Sequence, residues 1–346
     1  MNLRYKLLVM TAALASVAMA QEGYVPEVRI EARAVYQHDS DDKDNSGFRG
    51  QYLNLVVNGT IGSHVTYCYR QRLNRTSLSA SFFDATDMLY IAYTPTRLLT
   101  LSMGKNALDI GGYEYDAAPI DVYYASEFWH NFSCYQWGAA ACLNLGKGTD
   151  RLKLQVTQSP FRSLYKQANM FAYNLVWSGR HGVFHPLWSV NMLEWAPGEF
   201  ISYVALGTEL ALGRVRLQLD LMNRADIRHR LWQDDWSVVG RVTYTPIDAL
   251  DLSVKCNHDT NRSGLASDIA VVDSTDMTRV SMDIEYFPLR HARDIRIHTS
   301  VAYSFGTYGG GVMRDRQLLV NVGVTWKMNL LHPFANIKRH ASHEKE

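Results

Sequence analysis

Apolar and polar residues alternate with a period of two along about sixteen segments of roughly ten residues, the length of a strand crossing a membrane. Val28, Ile30, Ala32, Ala34 and Tyr36 share one face of the first segment, and Arg29, Glu31 and Arg33 take the other. Leu89, Ile91 and Tyr93 oppose Tyr90 and Ala92, and Leu152, Leu154 and Val156 oppose Arg151, Lys153 and Gln155. Val215, Leu217, Leu219 and Leu221 oppose Arg214, Arg216, Gln218 and Asp220, and the last segment shows Leu318, Val320, Val322, Val324 and Trp326. Lipid supplies no hydrogen bonds to a backbone, so a chain crosses it only as helices or as a closed sheet. The expected fold is an all-β transmembrane antiparallel β-barrel of about sixteen strands, apolar outside and polar within.

The N-terminus fits export. Arg4 and Lys6 precede an apolar stretch from Leu7 to Val17 and a small-residue Ala18-Met19-Ala20 site, which together form a secretory signal peptide. Residues 1–20 are therefore expected to be removed, and 21–328 to form the barrel. Loss of Arg4 and Lys6 takes the formal charge from +1 to −1. Such near-neutrality gives no footing for nucleic-acid binding. Beyond the signal no apolar run reaches the ~18 residues of a membrane helix. Cys68, Cys134, Cys142 and Cys256 form no CxxC pair and read as small buried residues.

Connections alternate in length. Tight turns fall near Gly59, Pro95, Gly146, Gly179, Gly213, Pro246 and Pro288. Long connections fall near 37–48, 73–87, 104–133, 158–169, 223–235, 257–277 and 304–316, with a shorter one near 194–200. Bacterial barrels keep short turns in the periplasm and long loops outside, so the alternation assigns the two ends. On that assignment Tyr93, Trp177, Tyr244, Tyr286 and Trp326 end the lipid-facing stripes at the periplasmic rim, with Tyr36, Phe171 and Trp236 opposite. Amphipathic rings at stripe ends form an interfacial girdle. A soluble periplasmic β-sandwich or solenoid would also alternate, but its aromatic residues need not collect at strand ends.

The inner face carries about thirteen basic positions, against about six acids, a bias of the kind anion pores use. The basic ones are Arg29, Arg33, Arg70, Arg72, Arg151, Lys153, Arg214, Arg216, Arg241, Lys255, Arg279, Arg296 and Lys327. The acids are Glu31, Glu209, Asp220, Asp251, Asp283 and Glu285. Any single arginine could simply pair with a neighbouring acid; the excess is what points to anions. The segment 104–133 follows strand five, where a constriction loop would fold inward. Its Asp109, Tyr113, Glu114, Tyr115, Asp116, Asp121, Tyr123 and Tyr124 would line the narrowing, the acids facing the basic wall across it.

Arg70-Gln71-Arg72-Leu73-Asn74, then Gly104-Lys105 and Gly111-Gly112-Tyr113-Glu114-Tyr115-Asp116, resemble the phosphate-selective porin O and P family, most clearly from about 50 to 145. The resemblance implies sixteen strands, inward loops, a basic lumen, a homotrimer and an outer-membrane location in a Gram-negative bacterium. It carries Arg70, Arg72 and Lys105 onto family-like positions.

No G-x-S-x-G, H-E-x-x-H or P-loop pattern is present, so neither an enzyme nor a cofactor is expected. His181 and His185 have ligand spacing but no third partner, and zinc needs three or four. The tail 329–346 runs past the last strand as a periplasmic extension. The expected activity is passive diffusion of small hydrophilic solutes, anionic or neutral, with phosphate or other anions preferred. The alternative is a non-conducting receptor, adhesin or barrel enzyme plugged by 104–133.

Overall fold

The structure is a computed structural model and describes residues 24–75, 82–131, 133–162, 169–226, 234–264, 267–289, 292–313 and 316–331. The expected signal peptide at 1–20 and all but the start of the expected tail at 329–346 lie outside the described residues, as do His332, His340 and His343.

Sixteen long antiparallel strands form one closed sheet. They are β1 Tyr24–Asp39, β2 Gly47–Ile61, β3 Val65–Arg72, β4 Thr86–Thr96, β5 Leu99–Ala107, β6 Tyr135–Leu145, β7 Asp150–Gln158, β8 Phe171–Gly179 and β9 Phe184–Ala196. The ring continues with β10 Glu199–Leu212, β11 Val215–Asp226, β12 Asp235–Ile247, β13 Leu250–Asn261, β14 Thr275–Tyr286, β15 Ile295–Tyr308 and β17 Gln317–Asn329. A two-residue ribbon, β16 Val312–Met313, folds back on the end of β15. Each long strand pairs with its neighbours in sequence, and β1 closes the ring on β17 from Arg29↔Asn329 to Asp39↔Leu319. Closure leaves no open edge, as burial of a sheet in lipid demands.

The barrel is inside-out relative to a soluble protein. Met103 is 71% exposed and Ile91 53%, whereas Asn174 and Asn191 are wholly buried. One end has short connections at 62–64, 97–98, 146–149, 180–183, 213–214, 248–249 and 287–294. The other has 40–46, 73–85, 108–134, 159–170, 227–234, 262–274 and 309–316, with a two-residue turn at 197–198. Two-residue hairpins need positive φ, which Gly198 (76°) and Gly213 (63°) supply. Tyr93, Tyr244 and Tyr286 stand exposed at the short-turn rim, and Tyr36 and Phe171 at the other.

Two expectations change. Strand β5 continues through Gly104 to Ala107, so the long loop starts at Leu108; Gly104 pairs with Tyr90 and Gly138, and a Cβ there would strike the Leu89 carbonyl. Cys256 is exposed rather than buried, because it pairs with Gly240 and Val280 on the outer face. All four cysteines are free.

The inner face is not uniformly wet. Ala172, Leu193, Ile201, Tyr203, Ala205 and Met222 turn inward from β8 to β11 and pack against Leu108, Ile110 and Phe128 of the long loop. Phe161 and Met170 of the next loop and Ala270 and Val271 of the loop 262–274 complete this core. One side of the lumen is therefore filled, which confines any passage to the other.

Candidate functional site

The loop 108–134 is stapled across the barrel. An amide ladder on the inner face receives its start: Asn174 donates to Gln155 (2.9 Å) and Asn191 to Asn174 (2.8 Å). Gln155 Oε1 accepts from the Asp109 backbone N–H (2.8 Å), and Asn191 donates to the Asp109 carbonyl (2.7 Å). The Gly111 N–H donates to Ser189 (2.8 Å). The short helix Tyr113–Asp116 then sets its first N–H groups on the Asp220 carboxylate, from Tyr113 (2.8 Å) and Glu114 (2.7 Å). An acid at a helix start satisfies donors that have no partner within the helix.

Ion pairs fix the rest. Lys153 holds Asp109 (2.8 Å), Lys255 holds Glu114 (3.0 Å), and Asp121 lies between Arg296 (2.8 Å) and Lys327 (2.7 Å). Arg279 donates to Glu127 (3.2 Å), and Arg33 donates to the carbonyls of Ile120 (3.0 Å) and Val122 (2.9 Å). Burial alone would push the Asp121 carboxyl up, but Arg296 and Lys327 hold it below the usual carboxylate range. Burial, with Glu209 and Asp220 nearby, pushes the Tyr113 hydroxyl up to about 12, so it stays a neutral donor to the His185 carbonyl (2.9 Å). Tyr123 stacks on His298 (4.4 Å, 26°) and donates to Glu285 (2.6 Å). Tyr115 packs against Phe128 (6.0 Å).

The loop acids thus touch the basic wall directly instead of facing it across water. Asp109, Glu114 and Asp121 are fasteners, while Asp116 is exposed to the lumen. The remaining basic positions sort by partner. Arg29 pairs with Glu27 (3.1 Å) and Glu31 (3.0 Å). Arg216 lies 3.7 Å from Glu209, and Arg241 donates to Ser253 (3.2 Å). Lys105 is in register with the outward Leu89 and Trp137 and donates to the Phe83 carbonyl (2.7 Å).

Arg70 and Arg72 sit together on the inner wall and share one carboxylate. Both donate to Asp87 Oδ2, Arg70 from Nε and Nη2 (3.1 and 3.0 Å) and Arg72 from Nε (2.8 Å). A bulge places Asp87 there: Arg70 pairs with Met88 but Gln71 with Thr86, so Asp87 is the extra residue. Two guanidinium groups on one carboxylate leave a net positive charge.

Beside the stapled loop, three cavities follow one another through the barrel. The first, about 570 Å³, lies at the long-loop end and is lined by Asn45, Arg49, Arg33 and Arg279 among others. It shares Tyr52, Arg72, Arg75, Trp129 and His130 with a second of about 700 Å³, which reaches Lys153 and Val176. The second shares Asp116 and Leu187 with a third of about 480 Å³, which reaches Gly148, Arg151 and Arg180 at the short-turn end. Asp87, Trp129 and His130 are not singled out by the sequence pattern. The Glu127-Phe128-Trp129-His130 run inside a polar loop was the available signal.

His181 rests on Asp150 (3.0 Å) and His185 on Glu209 (3.1 Å). Among the described residues no group of three or more His, Cys, Asp or Glu side chains could hold a metal ion.

Residues 26–183 match the family model of the phosphate-selective porin O and P. This stretch contains Arg70, Arg72 and the stapled loop. The fold resembles solved outer-membrane barrels at low identity. The outer-membrane expressed OmpT of Vibrio cholerae aligns with TM-score 0.61 and 11% identity, over 89% of this chain and 98% of that one. The outer-membrane channel DcaP of Acinetobacter baumannii aligns with TM-score 0.61 and 11% identity, over 88% and 97%. An anion-selective porin from Comamonas acidovorans gives 0.61 and 8%, over 88% and 99%. No curated protein matches the sequence.

Proposed function

We propose that this outer-membrane barrel, whose residues 26–183 match the porin O and P family, is a porin for passive diffusion of small hydrophilic solutes with a preference for anions. The observation that carries this reading is the file of three cavities running beside the loop from one end of the barrel to the other. The upper junction, where the first cavity meets the second, is basic: Arg72 and Arg75 line it, and Arg70 and Arg72 together exceed Asp87 in charge. A surplus of basic side chains favours anions by Coulomb attraction in a narrow aqueous path. The same reading makes the chain a channel and not an enzyme, exported through its signal peptide. Homotrimer assembly belongs to this proposal too; the OmpT of Vibrio cholerae has a trimer form.

The competing reading is a plugged barrel, and the apolar core on one side of the lumen is the observation in its favour. Deleting residues 109–122 separates the two. Purified and inserted in a planar bilayer, the intact porin should give discrete conductance steps, and the deletion should enlarge them. Steps that occur only after the deletion would establish the plug.

A further inference from the structure

The upper junction is richer in rings than a filter for inorganic ions requires. Tyr52, Trp129 and His130 all border it, together with Arg72 and Arg75. The Arg33 guanidinium stands 4.7 Å from the Tyr52 ring centroid. A cation at one ring face offsets the negative π cloud that would otherwise repel an anion from that ring. Trp129 is half-buried, and its indole makes no ring contact among the described residues. Arg72 spends its Nε on Asp87, which orients the guanidinium, and its two Nη groups make no hydrogen bond among the described residues. That edge is a fork matched to a carboxylate.

Charge at the junction limits what the fork can hold. The second cavity is lined by five basic side chains, Arg70, Arg72, Arg75, Lys105 and Lys153, and by four acids, Asp84, Asp87, Asp109 and Asp116. The surplus is a single positive charge, which one carboxylate offsets and a dianion would exceed.

Resting on the porin reading, we infer that this junction is a binding subsite for small organic monoanions that carry a flat unsaturated ring, aromatic carboxylates above all. The carboxylate takes the Nη edge of Arg72, and the ring lies against Trp129 and Tyr52. An aromatic contact raises affinity about twofold to tenfold over a saturated body of the same size.

The test measures interruption of the chloride current through the full barrel in a planar bilayer by four added anions. Benzoate should bind about threefold to tenfold tighter than cyclohexanecarboxylate, which keeps charge and bulk but lacks the π face. Acetate and inorganic phosphate should bind more weakly than benzoate. Trp129→Leu should bring benzoate and cyclohexanecarboxylate together, and Tyr52→Leu, a substitution on the strand wall, should narrow the gap. Channels that conduct but treat benzoate and cyclohexanecarboxylate alike, or bind phosphate as tightly as benzoate, overturn the subsite and leave the porin reading standing. A barrel that never conducts overturns both.

Discussion

Arg224→Leu should weaken the barrel against unfolding by about 3–5 kcal/mol, the loss expected when one partner of a buried ion pair is removed. Arg224 and Asp268 are both fully buried in side chain, and they pair through the Arg224 Nε. Arg224 also donates to Ser237 Oγ (2.8 Å) and to the Thr260 carbonyl (2.6 Å), while Asp268 accepts from the Ala270 and Val271 N–H groups (3.2 Å each). The pair thereby ties the loop 262–274 to the inner wall, where Ala270 and Val271 meet Phe128 of the long loop. Burial already pushes the Asp268 carboxyl up, and the arginine is what opposes that shift. Leucine would leave the carboxyl buried without its cation. Removing both charges, as Arg224→Met with Asp268→Leu, should recover most of the loss, since well-packed apolar replacements of buried pairs are often neutral. Urea titration of the purified barrel in detergent, followed by tryptophan fluorescence, reads both variants. A change under about 1 kcal/mol in the single variant would place the pair outside the stabilising core.

The second large effect concerns selectivity. Arg70→Ala with Arg72→Ala turns the local balance from two cations on one carboxylate into a lone Asp87. That is a loss of two unit charges at the upper junction. At about 5 Å in water each contributes roughly 0.8 kcal/mol, so the chloride-to-potassium permeability ratio should fall on the order of tenfold at low salt. Raising the salt should shrink the difference, because screening shortens the reach of fixed charge. Adding Asp87→Asn should restore part of the ratio by removing the stranded carboxylate. An unchanged reversal potential in the double variant would mean that the arginines serve only to hold the wall together.

How far the sequence spoke depended on whether a feature was local. Strand rhythm, alternating turn lengths and the rings at stripe ends follow from pairing and from lipid, so β1, β4, β7 and β11 could be read residue by residue. β10 could not. Ile201, Tyr203 and Ala205 face inward while Phe200, Val204 and Leu206 have the opposite parity, so both faces are apolar and the two-residue signal vanishes. The reason lies far away in sequence, in loop residues such as Val271 that cover the inner face. The inward loop after β5 was foreseen, but not that Asp109, Glu114 and Asp121 would each close on a wall cation. Charge counts give an excess and say nothing of contacts. Asp87 was missed because its role depends on a bulge, which alternation alone does not reveal.

On the porin reading, the wall beside the stapled loop encloses a water-filled, net-basic path through the barrel. The most direct measurement is the reversal potential of the wild-type barrel in a planar bilayer across a potassium chloride gradient. Its sign should be the one set by chloride moving more freely than potassium. A potential of the opposite sign, with potassium the favoured ion, would contradict that reading.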